Sequence, residues 1–350
     1  MRVWVDLLTP KQVLFFQPVI DELESEGADV LATSRHYREV GPLAERAGLR
    51  LRYVGDRGTK GREDQLLAAT RRQAEVIPIV QDFRPNVAVS VASAVCARVA
   101  FGLGVKHLAV NDSPHSEVAG RLSLPLSHNL LCPWVIPYKA WARFGIGRRQ
   151  VTTYHALDPA AWLKRKPLPG PVPRLDPKKK TITVRVQESD APYLARADMT
   201  WTDKLLGALL EEFPSANLVA LCRYDFQVEE VRSKFGTKWI IPDEVVSGHD
   251  LLSETDLFVG MGGTMNAEAA LMGVPTISAF QGSLYTDGYL ARVSLLAKAQ
   301  NTKALVASAK RFLADDFRAA YSERAKRVLD SMEDPVPKIA RFIAKTAKQA

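Results

Sequence analysis

The stretch of sequence that decides the fold is TDLFVGMGGTMNAEAALMGVPTISAF, residues 255–280. An apolar run at 257–260 is followed by Gly-Gly at 262–263 and a segment of small residues, and then Gly-Val-Pro at 273–275 precedes a second apolar run. This order predicts a strand, a glycine-rich turn, a helix and a second strand. Glycines let a ligand come close to the backbone, and the free N–H groups at a helix start favour an anionic group.

Glu268 lies little more than one turn into this predicted helix. Its negative charge is unsuited to a phosphate, whereas a carboxylate beside a phosphate site suits the hydroxyl groups of a ribose. The pattern therefore indicates that Gly262, Gly263, Thr264 and Glu268 bind a nucleotide. The alternative is that the two glycines only form a strand-to-helix turn and that Glu268 is a solvated helix residue.

The glycine turn, Glu268 and the Gly-Val-Pro sequence together resemble the nucleotide-sugar signature of the glycosyltransferase-B superfamily. That superfamily includes the lipid-linked N-acetylglucosaminyl transferase of peptidoglycan synthesis and the non-hydrolysing UDP-GlcNAc 2-epimerases. The whole chain resembles more closely an uncharacterised archaeal and bacterial family within the superfamily. The matching residues are in the opening strand and loop, a mid-chain strand and the glycine turn with its helix: 3–6, 9–10, 13–16, 184–186 and 262–275.

The resemblance implies an α/β fold with two Rossmann-like domains, whose parallel sheets face a cleft. It also implies that a nucleotide-sugar, UDP-linked, binds to the second domain as the donor, and that an acceptor binds to the first. The expected domains are residues 1–160 completed by a returning helix at 337–350, a linker rich in proline and lysine at 161–180, and a second domain at 181–336.

Length and patterning also favour two domains. The chain has 350 residues, 47% of them hydrophobic, which is more than one ordinary core needs. Strand-like and helix-like runs alternate, which predicts parallel sheets covered by helices on both faces. The strand-like runs are 2–7, 28–33, 49–54, 86–92 and 106–111 in the first half, and 181–187, 217–223, 239–242, 256–261 and 276–280 in the second.

The positive charge is concentrated in one segment. The net charge is +8, but residues 139–180 alone hold 11 Lys or Arg against two Asp, a sum of +9. With six prolines between 159 and 177, this segment is typical of an extended linker. It is either a solvated hinge or a surface that contacts anionic lipid headgroups. Since no aromatic-interleaved groove or nucleic-acid motif accompanies it, no nucleic-acid partner is expected.

Cysteine usage favours a reducing, cytoplasmic location, with peripheral contact on the inner face of the membrane as the alternative. Cys96, Cys132 and Cys222 are widely spaced and odd in number, so they form neither a disulfide framework nor a zinc spacing. The chain starts directly with a strand and shows no charged-then-apolar leader. The uncharged stretch at 122–138 contains three prolines and is not expected to span a membrane.

Acceptor chemistry is expected at the strand ends of the first domain. The loop after the first strand holds Thr9, Lys11 and Gln12, where Lys11 either binds a phosphate or is simply solvated; family relatives often have a histidine here. The fifth strand is followed by Asp112 and His115, a pair that could deprotonate a sugar hydroxyl. The alternative is that Asp112 or Ser113 caps the next helix and His115 is a surface residue. His155 is a third histidine of lower rank.

Donor contacts in the second domain are expected from Arg185 and Gln281, in addition to the glycine turn. Arg185 lies in the strand that opens this domain and could bind a diphosphate bidentately. The two acidic residues that follow it at 188 and 190 weaken this assignment. Gln281 follows the strand at 276–280 and would lie opposite the glycine turn.

These features predict a metal-independent glycosyltransferase that uses a nucleotide-sugar and no bound cofactor. No DxD sequence in the candidate loops, HExxH motif or paired cysteine spacing is present. Two alternatives stay open: an isomerase similar to the UDP-sugar 2-epimerases, and a non-catalytic nucleotide-sugar-binding protein. The epimerases have an arginine-rich first loop and a Ser-Gly-Gly donor turn, and this chain departs from both.

Overall fold

The computed structural model describes residues 1–37, 39–58, 61–186 and 199–349. The chain forms two compact units, the first from Met1–Lys166 with Met332–Ala350 and the second from Pro167–Ser331. The segment 161–180 is divided between them, because Lys166 ends one unit and Pro167 begins the other.

In the described part of the first unit, parallel strands alternate with helices. The elements are β1 (Arg2–Leu7), α1 (Pro10–Ser25), β2 (Asp29–His36), α2 (Val40–Arg46), β3 (Arg52–Asp56), α3 (Arg62–Phe83), β4 (Val87–Ser90), α4 (Ala94–Gly102), β5 (Lys106–Val110), α5 (Glu117–Ser123), β6 (Asn129–Pro133), α6 (Tyr138–Ala142), β7 (Val151–Tyr154), α7 (Ala160–Leu163) and, near the end of the chain, α15 (Pro335–Ala347).

The first sheet has seven strands in the order β3-β2-β1-β4-β5-β6-β7, and all its pairings are parallel. In the central strand, Val5 pairs with Ala32 of β2 on one side and with Val89 of β4 on the other. Residues 3–7 are fully buried because helices cover both faces of the sheet. The strand order reverses between β1 and β4, and crevices at the carboxyl ends of strands open at such a point.

The sequence did not predict strands β6 and β7. The interpretation of 139–180 as an extended linker is wrong for its first half, since β7 and the short helices α6 and α7 lie there. Apolar side chains explain the packing: Ile136, Trp141, Phe144 and Ile146 are buried in one hydrophobic cluster between basic residues that face solvent. The prolines stand at element ends, where a missing N–H is tolerated.

The second unit repeats the alternation. Its described elements are β8 (Thr181–Arg185), α8 (Thr200–Glu212), β9 (Asn217–Leu221), α9 (Asp225–Phe235), α10 (Gly248–Ser253), β10 (Leu257–Gly260), α11 (Thr264–Leu271), β11 (Thr276–Ser278), α12 (Tyr285–Arg292), β12 (Ala297–Lys298), α13 (Thr302–Phe312) and α14 (Phe317–Ser331).

The second sheet has five parallel strands in the order β12-β11-β10-β8-β9. Its strand order reverses between β8 and β10. The strand predicted at 239–242 is wrong: only a single bridge joins Ile240 to Val219. The two-residue strand β12 was not predicted, because two residues carry no periodicity.

The proline-rich start of this unit is held against it rather than free. Ser247 N–H donates to the carbonyl of Pro171 at 2.9 Å, Gly170 N–H donates to Asp250 at 2.9 Å, and the Asn217 amide donates to the Asp176 carbonyl at 2.9 Å. Residues 167–176 therefore behave as part of the second unit. None of the helices in the described ranges is long and apolar enough to cross a membrane.

Candidate functional site

The glycine turn of the second unit lies at the carboxyl end of β10, beside the point where strand order reverses. Gly262 has φ 100° and Gly263 has φ 95°, and both values favour glycine over any residue with a Cβ. Gly263 is the N-cap of α11, and a Cβ there would meet no atom within 4 Å. The backbone at Gly263 is therefore open to a ligand at the start of an eight-residue helix.

Phe280 fixes the loop after β11 against this turn. A Cβ added at Gly262 would lie 3.0 Å from the Phe280 ring, and one added at Gly282 would lie 2.5 Å from it. The ring thus packs between two glycines. Gln281 lies between Phe280 and Gly282 and is exposed, so the structure brings it near the glycine turn.

Glu268 is buried at 7% exposure on the inner face of α11. A Cβ added at Gly248, the first residue of α10, would lie 4.0 Å from Glu268 Oε2. Thr264, which begins α11, is half-buried. Glu268 is thus a buried residue of α11, not the solvated helix residue of the alternative interpretation.

A network of buried, hydrogen-bonded polar side chains lies next to the glycine turn. Asp287 Oδ2 accepts hydrogen bonds from Ser278 Oγ at 2.6 Å and from Asn266 Nδ2 at 3.3 Å. Asn266 and Asp287 are each no more than 1% exposed. This network ties α11 to β11 and α12, so it sets the direction of the helix.

Arg185 ends β8, the strand next to β10, and pairs in register with Gly260. Its carbonyl accepts a hydrogen bond from Met261 N–H at 3.3 Å. Burial raises the pKa of Cys222 to about 11, while the nearby charge of Arg185 opposes that shift. Arg185 thus lies one strand away from the glycine turn. The residues expected to continue its loop, 187–189, are outside the described residues.

In the first unit, the loop after β1 is held by Gln12. Its side chain is buried and accepts a hydrogen bond from Leu8 N–H at 2.6 Å. The carbonyl of Thr9 accepts from Gln12 N–H at 3.0 Å and begins α1. Gln12 is therefore used to shape the loop.

Lys11 lies between two carboxylates at the same edge of the sheet. Its Nζ is 2.6 Å from Asp112 Oδ2 and 2.8 Å from Asp158 Oδ2. Tyr154 donates its hydroxyl hydrogen to Asp158 Oδ1 at 2.6 Å, and Ser113 Oγ donates to Asp112 at 2.7 Å. We call Lys11, Asp112, Tyr154 and Asp158 the lysine cluster. It joins the first turn of α1 to the loop after β5 and to the end of β7 with the loop that follows.

The pKa values of the two carboxyl groups in the lysine cluster are shifted in opposite directions. Burial raises the pKa of Asp158 to about 6, with Lys11 opposing the shift and Asp112 adding to it. Burial also acts to raise the pKa of Asp112, but the charge and hydrogen bond of Lys11 outweigh it and the pKa falls below its usual value. A pair held at different pKa values is a common arrangement for acid–base work.

The histidines lie in different environments. His115 is exposed, and its charge contributes to lowering the pKa of Asp112, so the two groups lie near each other. Among the described hydrogen bonds, none joins Asp112 to His115. His155 stacks on Trp134 with ring centroids 4.2 Å apart. His107 is buried between Ser90 and Ser127, which gives it a structural role.

Sequence reasoning did not find Asp158 or Tyr154 as site residues. Both follow from the position of β7, since Tyr154 ends that strand and Asp158 lies in the loop after it. A run of β-branched residues and a tyrosine at 151–154, Val-Thr-Thr-Tyr, ahead of an acidic residue was the available indication. The basic residues around it favoured the linker interpretation instead.

Three comparisons place the chain among known proteins. A family model described as Protein of unknown function (DUF354) matches residues 1–348. An uncharacterised protein of Methanocaldococcus jannaschii is 28% identical over 298 residues, which cover 83% of this chain and 85% of that protein.

Two solved structures are similar to the whole chain. The UDP-GlcNAc 2-epimerase of Neisseria meningitidis, bound to UDP-GlcNAc, has a TM-score of 0.74 at 13% identity and covers 100% of both chains. A spinosyn forosaminyltransferase has a TM-score of 0.61 at 16% identity, covering 98% of this chain and 99% of its own. At these identities the likeness shows the fold, which is of the glycosyltransferase-B type. Since the family model matches nearly the full length, the chain belongs to the DUF354 family.

Proposed function

We propose that this protein binds a UDP-linked sugar at the glycine turn of the second unit and transfers the sugar to an acceptor held by the first unit. The observation that carries the proposal is the geometry at Gly263. Two consecutive left-handed glycines open the backbone at a helix start, and Glu268 follows within the same helix. Such a helix start suits the diphosphate of the donor.

Each predicted donor residue has a proposed role. The N–H groups of Gly263 and Thr264 bind the diphosphate, and Arg185 stabilises its charge as it leaves. Glu268 binds ribose hydroxyls, and Gln281 contacts the sugar. Because these groups stabilise the leaving diphosphate, the transfer is proposed to need no metal ion. Structural neighbours solved with UDP-GlcNAc support a donor of this class.

The acid–base step is assigned to the first unit. Asp112 and His115 are proposed to accept the proton of the acceptor hydroxyl, with the exposed imidazole as the group that meets the acceptor. Lys11 holds Asp112 and Asp158 in place. The acceptor is proposed to be a glycan or a lipid-linked molecule, which would bring the protein to the inner face of a membrane.

Epimerisation at carbon 2 of a UDP-sugar is the second candidate, because the TM-score is higher for an epimerase than for a transferase. Incubation with radiolabelled UDP-sugars, with and without a lipid acceptor, separates the possibilities. Label in the acceptor supports transfer. A changed sugar without acceptor supports epimerisation, and unchanged donor under both conditions leaves a binding protein.

The donor site has its own test in Glu268→Gln, which keeps the side-chain shape and removes the charge. Loss of charge-assisted hydrogen bonds is worth about 1.5–3 kcal/mol, so UDP affinity in a calorimetric titration should fall at least tenfold. Glu254→Gln, which changes an exposed residue of the same unit, should bind UDP like the unaltered protein. Unchanged UDP affinity in a folded Glu268→Gln variant would remove the ribose role.

A further inference from the structure

Helix α3 carries a regular pattern on the side that faces away from the sheet. Its inward side is buried through Arg72, Val76 and Val80. On the outward side, six residues at alternating spacings of four and three form a line that we call the α3 stripe: Glu63, Leu67, Thr70, Ala74, Ile77 and Gln81. Five of them are exposed and Ile77 is half-buried. The 22-residue helix therefore presents one continuous line of side chains to solvent.

The spacing of the α3 stripe indicates a helix as its partner. Alternating steps of four and three positions repeat every seven residues, and this repeat keeps one line of side chains against a neighbouring helix in a coiled coil. The four central positions of the stripe are apolar or small, and its charged and amide residues stand at the two ends. A surface helix that only covers a sheet needs one apolar side, which α3 already uses inward.

The apolar part of the stripe and its surroundings are open to solvent. Leu67 is 45% exposed, and Leu66 beside it is 68% exposed. Phe101, at 65% exposure, lies near the end of α4, which packs beside α3. Single apolar residues are normal on a protein surface, whereas a contiguous apolar strip is typical of an interface.

The α3 stripe is complementary to itself when two copies run in opposite directions. If a twofold axis crosses α3 at the level of residue 72, Leu67 lies opposite Ile77 of the second copy, because both are five residues from the axis. Thr70 and Ala74, each two residues from the axis, lie opposite each other in the same way. Large apolar side chains then meet each other, and small ones meet at the centre, where the helices come closest. An interface between identical chains needs such a match of one surface with itself.

The charges on and beside the stripe match in the same arrangement. Glu63 and Gln81, each nine residues from the axis, lie opposite each other, and the amide can donate to the carboxylate. Arg71 comes within two residues of Glu75 of the second copy, about 3 Å along the helix. Both are exposed, and the twofold axis forms this pair twice. Opposite charges at these positions favour the antiparallel direction and this register.

We propose that two copies of this chain associate through their α3 stripes, packed antiparallel about a twofold axis at residue 72. The mixed charge around the stripe favours a second copy over a membrane, since an anionic membrane attracts basic residues and repels carboxylates such as Glu63 and Glu75. The surface belongs to the first unit alone, so the proposal stands apart from the proposed sugar transfer and from the donor site.

Sedimentation equilibrium of the full chain, over a wide range of concentrations, measures the dissociation constant of the dimer. Leu67→Glu places a charge against Ile77 of the second copy and should weaken the dimer at least tenfold. Val172→Glu, the same change at an exposed residue of the second unit, should leave the dissociation constant unchanged. Because both positions are exposed, both variants should keep the circular dichroism of the unaltered protein.

Two results of this experiment would overturn the proposal. One is an unaltered protein that is monomeric at every concentration, and the other is a Leu67→Glu dimer of full affinity. A monomer whose binding to acidic vesicles falls with Leu67→Glu would assign the stripe to a membrane instead.

Exchange of the two charges beside the stripe tests its direction. Arg71→Glu and Glu75→Arg each bring like charges together twice across the axis, so each should weaken the dimer at least tenfold. The double variant restores the pair in reverse and should return to within threefold of the unaltered dissociation constant. A double variant no tighter than either single variant would show that these residues do not face each other.

Cysteine pairs test the register. Thr70→Cys chains mixed with nitrogen-15-labelled Ala74→Cys chains should form a disulfide on mild oxidation, because these positions meet at the crossing, where Cα atoms can reach the roughly 5.5–6 Å that a disulfide needs. The label lets peptide mass spectrometry assign the link to two different chains. Gln81→Cys in place of Thr70→Cys is the control, since it lies roughly 16 Å along the helix from residue 74 of the second copy. A dimer that links the control pair and not the first pair would contradict this register.

Discussion

Lys11 illustrates how the sequence can single out a residue without indicating its role. The sequence puts it in the loop after the first strand, where it either binds phosphate or is solvated. In the structure, Lys11 forms ion pairs with Asp112 and Asp158. Burial acts to lower the pKa of Lys11, but the charges of these two carboxylates outweigh it and the pKa stands above its usual value.

The pH dependence of stability should report on Asp158. Its pKa is about 6 in the folded protein against an ordinary value of 3.8. Between these values the folded state binds more protons than the unfolded state, so the free energy of unfolding should decrease as pH rises from about 4 to about 6. Asp158→Asn should flatten this decrease, measured by urea unfolding at several pH values in that window.

Asp29→Asn is the matched control, because it alters an exposed carboxylate of the same unit. It should keep the slope of the unaltered protein. The lowered pKa of Asp112 acts in the opposite sense and below this window, since its stabilisation is lost only as pH falls under the ordinary value. A slope unchanged by Asp158→Asn would show that its carboxyl group titrates normally.

The glycine turn could be predicted because its information is local. Gly262, Gly263 and Glu268 lie within seven residues, and turn chemistry and helix spacing act over that range. The lysine cluster could not be predicted in the same way. It depends on which strands are neighbours, and the order β1, β4, β5, β6, β7 includes two strands that the sequence did not indicate.

At the scale of elements, the basic residues and prolines between residues 138 and 163 obscured strand β7 and helices α6 and α7. Propensity and proline content favoured a linker, but buried apolar side chains decided the structure. Trp141 is fully buried in the five-residue helix α6, and Tyr154 is buried at the end of β7. Tertiary packing therefore overrode local composition.

The last helix shows how strongly one element supports the first unit. Helix α15 contacts α1, α7, β4 and β5, and its Ile339 and Ile343 are fully buried. Ile339→Ala should lower the stability of the first unit by about 2–5 kcal/mol through the lost apolar burial and the cavity. Hydrogen exchange of the β1 amides, followed by mass spectrometry, measures this unit separately from the other.

Lys345→Ala is the control within the same helix, because Lys345 is exposed. Its β1 amides should exchange at the rate of the unaltered protein. If Ile339→Ala left β1 exchange unchanged, α15 would not be needed for the stability of the sheet.

At the scale of the whole molecule, the positive charge remains unevenly distributed after folding. Lys139, Arg143, Arg148 and Arg149 are exposed on the first unit. Arg143 donates to the carbonyl of Pro114 at 2.6 Å, which places this basic region near the start of α5. Helix α5 itself exposes apolar side chains, with Val118 at 71% and Leu122 at 51%. Exposed apolar residues beside basic ones are typical of a membrane-contacting surface.

Co-sedimentation with vesicles should therefore increase with the fraction of acidic lipid and decrease with salt, since screening acts over about 10 Å at 0.1 M. Each basic residue near the surface contributes about 1 kcal/mol, so Arg148→Gln with Arg149→Gln should reduce binding about thirtyfold at low salt. Arg50→Gln with Arg52→Gln, another exposed pair of the first unit, should have little effect. Equal sedimentation with neutral and acidic vesicles would exclude this surface.

The division of the first unit between the two ends of the chain has a consequence for synthesis on the ribosome. Residues 1–166 emerge first, but the face of α1 that α15 covers stays unpaired until residues 335–347 have been made. At about 5–20 residues per second, the intervening 168 residues take roughly ten seconds or more. The second unit is one continuous segment and can fold within that interval. The part of the protein translated first is thus the last to be completed, and during this time the apolar face of α1 is exposed to solvent.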